Sequence, residues 1–128
     1  MGIQSLDLHP IIDKKILDTF YSGNEALLTK MLGVFLENTP INLKSCETSA
    51  KSGDPEAFKA AIHKIKSTFP LVGLPHLEKI CKEIEKVALE CSNKENLIKF
   101  NKLKRELDKC YPIMVSEYEK LSIIQATK

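Results

Sequence analysis

Apolar residues recur along this chain at spacings of three and four from about residue 11 to residue 122, with no convincing two-residue alternation of a half-buried strand. The pattern divides into five helical segments. The first runs from about Ile11 to Phe20, with Pro10 suited to its start. Ser22-Gly23-Asn24-Glu25 reads as a capping box for the second. The apolar face of that helix, Leu28, Leu32, Phe35, Thr39, Leu43, Cys46 and Ala50, stays in phase across Pro40, which predicts one kinked helix to about Ser52. Gly53 ends it, and Asp54-Pro55-Glu56 supplies a cap, a first-turn proline and a favourable charge for the third helix. That helix is expected to stop near Gly73, with a kink at Pro70. Pro75 opens the fourth, with Leu77, Ile80, Cys81, Ile84 and Ala88 inside. Ser92-Asn93-Lys94-Glu95 is a second capping box. The fifth helix carries Leu97, Phe100, Leu107, Tyr111, Met114, Tyr118 and Leu121 through Pro112. Long amphipathic helices joined by short turns imply an all-α fold, an antiparallel four-helix bundle with the short first helix covering one end. Residues 1–128 read as one domain, with an N-terminal tail over 1–10 and helices over 11–122.

The third helix carries the chemistry. Phe58, Ile62, Ile65, Phe69 and Val72 fall within a sector of about 80° on a helix of roughly 100° per residue. His63 points about 140° from the middle of that stripe, toward water. Lys59 and Ser67, four residues to either side, share its side of the helix, and Lys66 is close. A solvent-facing imidazole among cations and a hydroxyl suits attack on an anionic group, and then its retention.

Composition removes several other classes. Apolar residues make up 43% of the 128, charged residues 28%, and the net charge is +2, which is no profile for a disordered tail or a dedicated nucleic-acid binder. No apolar run approaches the roughly 20 residues of a membrane span. The N-terminus lacks a signal peptide's apolar core, and Leu6 misses the myristoylation pattern. Cys46, Cys81, Cys91 and Cys110 form no C-x-x-C pair, and the first three sit in phase with apolar stripes; free thiols in a reducing cytoplasm are the expectation, with no metal site.

The run His63-Lys64-Ile65-Lys66-Ser67-Thr68-Phe69-Pro70-Leu71-Val72-Gly73 resembles the histidine-containing phosphotransfer (HPt) domain of two-component phosphorelays. The family pattern is a histidine, an apolar residue two on, a lysine three on, a small residue four on and a glycine ten on. His63, Ile65, Lys66, Ser67 and Gly73 match it, and Ala61 fits the small residue favoured just before. Leu74, Leu77, Cys81, Ile84 and Glu85 match the amphipathic helix that follows, and Phe35-Leu36-Glu37-Asn38-Thr39-Pro40 the helix that precedes, so the likeness spans nearly the whole chain. Three positions depart from the pattern. Ser67 stands where glycine is commonest, Phe69 where a small residue is usual, and Pro70, seven residues past the histidine, is expected to kink the helix.

The resemblance implies that His63 is the phosphoacceptor, that Lys66 stabilises the charge of the phosphoryl group, and that Ser67 offers it a hydrogen bond. Gly73 is structural, and Lys59, Ala60 and Pro70 form a collar to receive a partner. It implies a carrier and not an enzyme with its own ATP site, and the chain holds no Gly-rich phosphate loop. The partners implied are a response-regulator receiver domain, which supplies the aspartate and Mg²⁺, and a hybrid histidine kinase from which such a domain can be excised. No cofactor of its own, no nucleic acid, no membrane and a cytoplasmic monomer complete the expectation. The competing reading is an adaptor bundle that binds signalling partners without phosphotransfer. A metal-binding bundle ranks far behind both, since none of His9, His63 and His76 has the Glu three residues before it that a di-iron bundle needs.

Overall fold

The structure, a computed structural model, describes residues 2–128. Helices α1 (Lys14–Tyr21), α2 (Glu25–Ser52), α3 (Pro55–Lys66), α4 (Pro75–Val87) and α5 (Asn93–Ala126) account for most of them, with 3-10 turns at Ile3–Ser5 and Pro70–Val72. No described residue lies in a strand. Contacts run from α2 to α3, α3 to α4, α4 to α5 and back from α5 to α2, the closed square of a four-helix bundle. The short α1 covers one end, against the Pro70–Val72 turn and α2. The predicted stripes fill the interior: Leu28, Leu32 and Phe35 from α2, Phe58, Ile62 and Ile65 from α3, Leu77, Cys81 and Ile84 from α4, Phe100, Leu107 and Met114 from α5. No described helix is long and apolar enough to cross a membrane.

Four boundaries differ from the sequence expectation. Helix α1 starts at Lys14, not Ile11, because Asp13 is the better cap: its carboxylate accepts from the backbone amides of Lys15 and Ile16. Ser22 does not cap α2. It closes α1 in the left-handed conformation, φ 47°, and Asn24 takes over by accepting from the amide of Leu27. Helix α3 ends at Lys66, well short of Gly73, because Pro70 has no amide to give the Lys66 carbonyl and its ring crowds that oxygen. The stripe nevertheless keeps its phase, and Phe69 and Val72 are buried from the turns that follow. Finally, residues 2–10 pack against the bundle. Ile3 is fully buried and Lys120 donates to the Asp7 carbonyl at 2.8 Å, while α5 runs on to Ala126.

The turn after α3 is tied down from the other end of the chain. The Asp13 amide donates to the Gly73 carbonyl at 2.8 Å, and the Tyr21 hydroxyl donates to the Leu71 carbonyl at 2.6 Å. Gly73 has φ +76°, and a Cβ there would stand 2.8 Å from Ile12 Cγ2 and 3.2 Å from the Asp13 carbonyl oxygen. Only glycine meets both demands. The ring of Phe69 lies edge-on to Phe35 with centroids 6.1 Å apart, so the aromatic residue beneath the site is part of the core.

Candidate functional site

His63 and Lys66 sit in the last turn of α3, where their charges suit the negative end of the helix dipole. Asp54 fixes the other end of that helix by accepting from the amides of Glu56 and Ala57, with Pro55 in the first turn. His63 is 67% exposed. Its Nδ1 lies 2.6 Å from Oε1 of Glu85 on α4, and Lys66 Nζ donates to the other oxygen, Oε2, at 2.7 Å. One carboxylate thus bridges the imidazole and the ammonium, with Glu85 and Lys66 only 17% and 19% exposed.

Burial pushes the Glu85 carboxyl up, but the hydrogen bonds and positive charge of Lys66 and His63 outweigh it, and the group lies below its ordinary value. It is therefore an anion at neutral pH and accepts from Nδ1–H. In the neutral ring that tautomer carries the lone pair on Nε2, and the ring is exposed.

Two adjoining depressions, each about 310 Å³, surround this triad. His63 lies in one with Glu56, Lys59, Ala60, Glu85 and Leu89. The other is lined by Lys59, Lys66, Lys82, Lys86 and Glu85. A larger hollow of about 380 Å³ lies elsewhere, where Pro40 of α2 faces Pro112 of α5. Its walls are apolar except for Thr39, Asp108 and Tyr111, so it offers no cluster of reactive groups.

Of the residues singled out from sequence, His63, Lys66, Lys59 and Ala60 come together. Ser67 is exposed at the end of α3, and its hydroxyl donates to the Lys64 carbonyl at 3.1 Å. Pro70 starts the following 3-10 turn and lines neither depression, and Gly73 is packed under α1. Glu85 had entered only as part of an amphipathic helix, and the sequence reading missed its place in the site. So too with Lys82, Lys86 and Leu89. The missed signal is one of phase: Lys66 on α3 and Glu85 on α4 each stand about 80° from the middle of their apolar stripe, at the border where two packed helices meet.

The fold and site together are a four-helix bundle with an exposed histidine braced from the next helix beside several lysines. The family model for the Hpt domain matches residues 30–110, and the chain belongs to that family. Domains of this family are phosphocarriers and not kinases, and they interact with receiver domains and histidine kinases, which supports a general role for the chain in phosphorelay phosphotransfer. Among solved structures the chain is similar to the HPt domain of a sensor hybrid histidine kinase from Shewanella, at 15% identity, with a TM-score of 0.63, over 92% of this chain and 96% of that one. That likeness speaks for the fold. No curated protein matches the chain.

Proposed function

We propose that His63 is the phosphoacceptor of a phosphorelay intermediate, taking a phosphoryl group from the aspartate of one receiver domain and passing it to another. The observation that carries this reading is the bridge from Glu85: with Nδ1–H held at 2.6 Å by a carboxylate, Nε2 is the free nucleophile, and it faces solvent where a partner can reach it. In the forward step the Nε2 lone pair attacks phosphorus, the N–P bond forms, and the P–O bond to the donor aspartate breaks to release its carboxylate. The ring becomes cationic while it keeps its Nδ1 proton, and Glu85 lies against that charge. The carboxylate of the next receiver reverses the step and restores the neutral ring.

Lys59 lines both depressions and Lys66 the one adjoining that of His63, and both offer positive charge to the equatorial oxygens. This compensates for a phosphoryl group placed at the negative end of α3. The lysine-rich surroundings are unsuited to a divalent cation, which takes oxygen ligands, so Mg²⁺ in this scheme belongs to the receiver domain. The deciding experiment charges receiver domains with acetyl phosphate and mixes them with the wild type or His63→Gln. Acid-labile, base-stable label that appears only in the wild type supports the proposal. Label that persists in the variant assigns the wrong residue, and no label from a broad panel of receivers favours the adaptor bundle.

A further inference from the structure

We infer that the receiver domain docks from the α4 side of His63, on a surface where Lys82, Lys86 and Leu89 select a partner with an acidic rim and a small apolar contact. This rests on the phosphorelay reading and adds a direction of approach and residues for partner selection. His63 lies in a depression built from Glu56, Lys59 and Ala60 of α3 and Glu85 and Leu89 around α4, with nothing from α2, and its cationic rim is the adjoining side formed by Lys59, Lys82 and Lys86. The Glu85 hydrogen bond holds the imidazole toward α4, so the nucleophile and this depression are approached together.

The charges on that side are largely uncommitted. Lys66 is held by Glu85, but Lys82 reaches Glu78 only at 3.9 Å and stays 62% exposed. Among the described residues, Lys59 and Lys86 make no ion pair. The same depression that holds Lys82 and Lys86 shares Lys59 and Glu85 with that of His63. In the depression of His63, Leu89 exposes 53% of its surface, an apolar contact next to the lysine-rich depression. An occupant that brings an aspartyl phosphate and the carboxylates needed to hold Mg²⁺ is acidic where it meets His63, which is the complement of this rim. The rival face is the outer stripe of α2, where Leu27, Val34 and Ile41 are exposed at seven-residue intervals. Lys30, Glu37 and Lys44 are exposed beside that stripe, so its charge is mixed, and none of its residues lines the depression that holds His63.

The test uses the receiver domain that labels the wild type best, with phosphoramidate as a small donor that phosphorylates imidazole without docking. For the double variant Lys82→Glu/Lys86→Glu, kcat/KM with the charged receiver should fall at least ~10-fold further than with phosphoramidate at low salt, mainly through KM, and the gap should narrow as salt rises. Leu89→Ser should lose about threefold with the receiver, as for a small apolar contact. Val34→Ser/Ile41→Ser should leave both reactions as they are. Loss in the α2 variant without loss in the lysine variant overturns the inference. So does an equal loss toward both donors, which would place the lysines in the chemistry and not in docking. A wild type labelled by phosphoramidate but by no receiver takes down the phosphorelay reading itself, and this inference with it.

Discussion

The hydroxyl of Tyr111 on α5 donates a 2.6 Å hydrogen bond to the carbonyl of Leu36 on α2, four residues before Pro40. That carbonyl is the one Pro40 leaves without a helical donor. A side chain from the opposite helix thus replaces the missing bond, and α2 continues from Glu25 to Ser52 as a single helix. Tyr111→Phe should cost about 1–2 kcal/mol in chemical denaturation, the penalty of a partly buried carbonyl left unpaired. In a Pro40→Ala background, where residue 40 regains its amide, the same substitution should cost clearly less. Equal losses in the two backgrounds would deny the link.

Glu85 is expected to serve both the site and the fold. Glu85→Gln keeps the shape but removes the charge that Lys66 and His63 share. Receiver-dependent phosphorylation of His63 should drop about 10- to 100-fold, the equivalent of one charge-assisted hydrogen bond in the transition state. A variant as fast as the wild type would show that the bridge does not prepare the imidazole.

The same carboxylate gives stability a pH dependence of known sign. Its pKa is lowered in the folded state, so the unfolded chain binds the proton more tightly and acid favours unfolding. The contribution is complete above the ordinary carboxylate value of 4.5 and is lost as pH falls through the depressed folded-state value. Melting temperatures of the wild type and Glu85→Gln should therefore differ at pH 7 and converge below that window. A gap that widens on acidification would mean the sign is wrong.

Gly73→Ala tests the turn beyond the site. A methyl group at φ +76°, facing Ile12 Cγ2 at 2.8 Å, should destabilise the fold by about 1–3 kcal/mol. Labelling of the fraction that remains folded should proceed at nearly the wild-type rate, since the glycine touches neither His63 nor its lysines.

The thiols make a separate check on packing. Burial pushes Cys81 up to about 12 and Cys46 up to about 11, and burial likewise raises Cys110. Cys91 alone of the four is not buried. Ellman's reagent at pH 8 should titrate one thiol quickly, the phase should vanish in Cys91→Ser, and the others should react only on unfolding.

Much of this was legible from periodicity. The stripes of α2 to α5 named most of the core because a helix must bury one face, and that face is written at every third and fourth position. The helical phase of His63 and Lys66 put the two side chains near one another on α3, where Glu85 meets both. What escaped was set by contacts between distant segments. Which of Ser22 and Asn24 caps α2 depended on how α1 closes, and the end of α3 depended on a single missing amide at Pro70. Buried polar residues left no trace in the pattern: Asn96 donates to the Ala88 carbonyl at 2.9 Å at the end of α4, and Glu117 meets Lys120 at 3.1 Å. Glu85 was visible as a residue, but its partner lies on another helix, and a stripe says nothing of registry between helices.

The bonds from Asp13 and Tyr21 to the Pro70–Gly73 turn mean that the family-matched span, residues 30–110, is not a self-sufficient unit here. A fragment cut to that span would keep His63, Lys66 and Glu85, yet it would lack the splint that holds the chain where α3 gives way. It would also lose Tyr118, whose ring closes over Gly33. Grafting this phosphotransfer module into another protein therefore requires both flanks to travel with it, because the segments that set its rigidity lie outside the part that carries its signature.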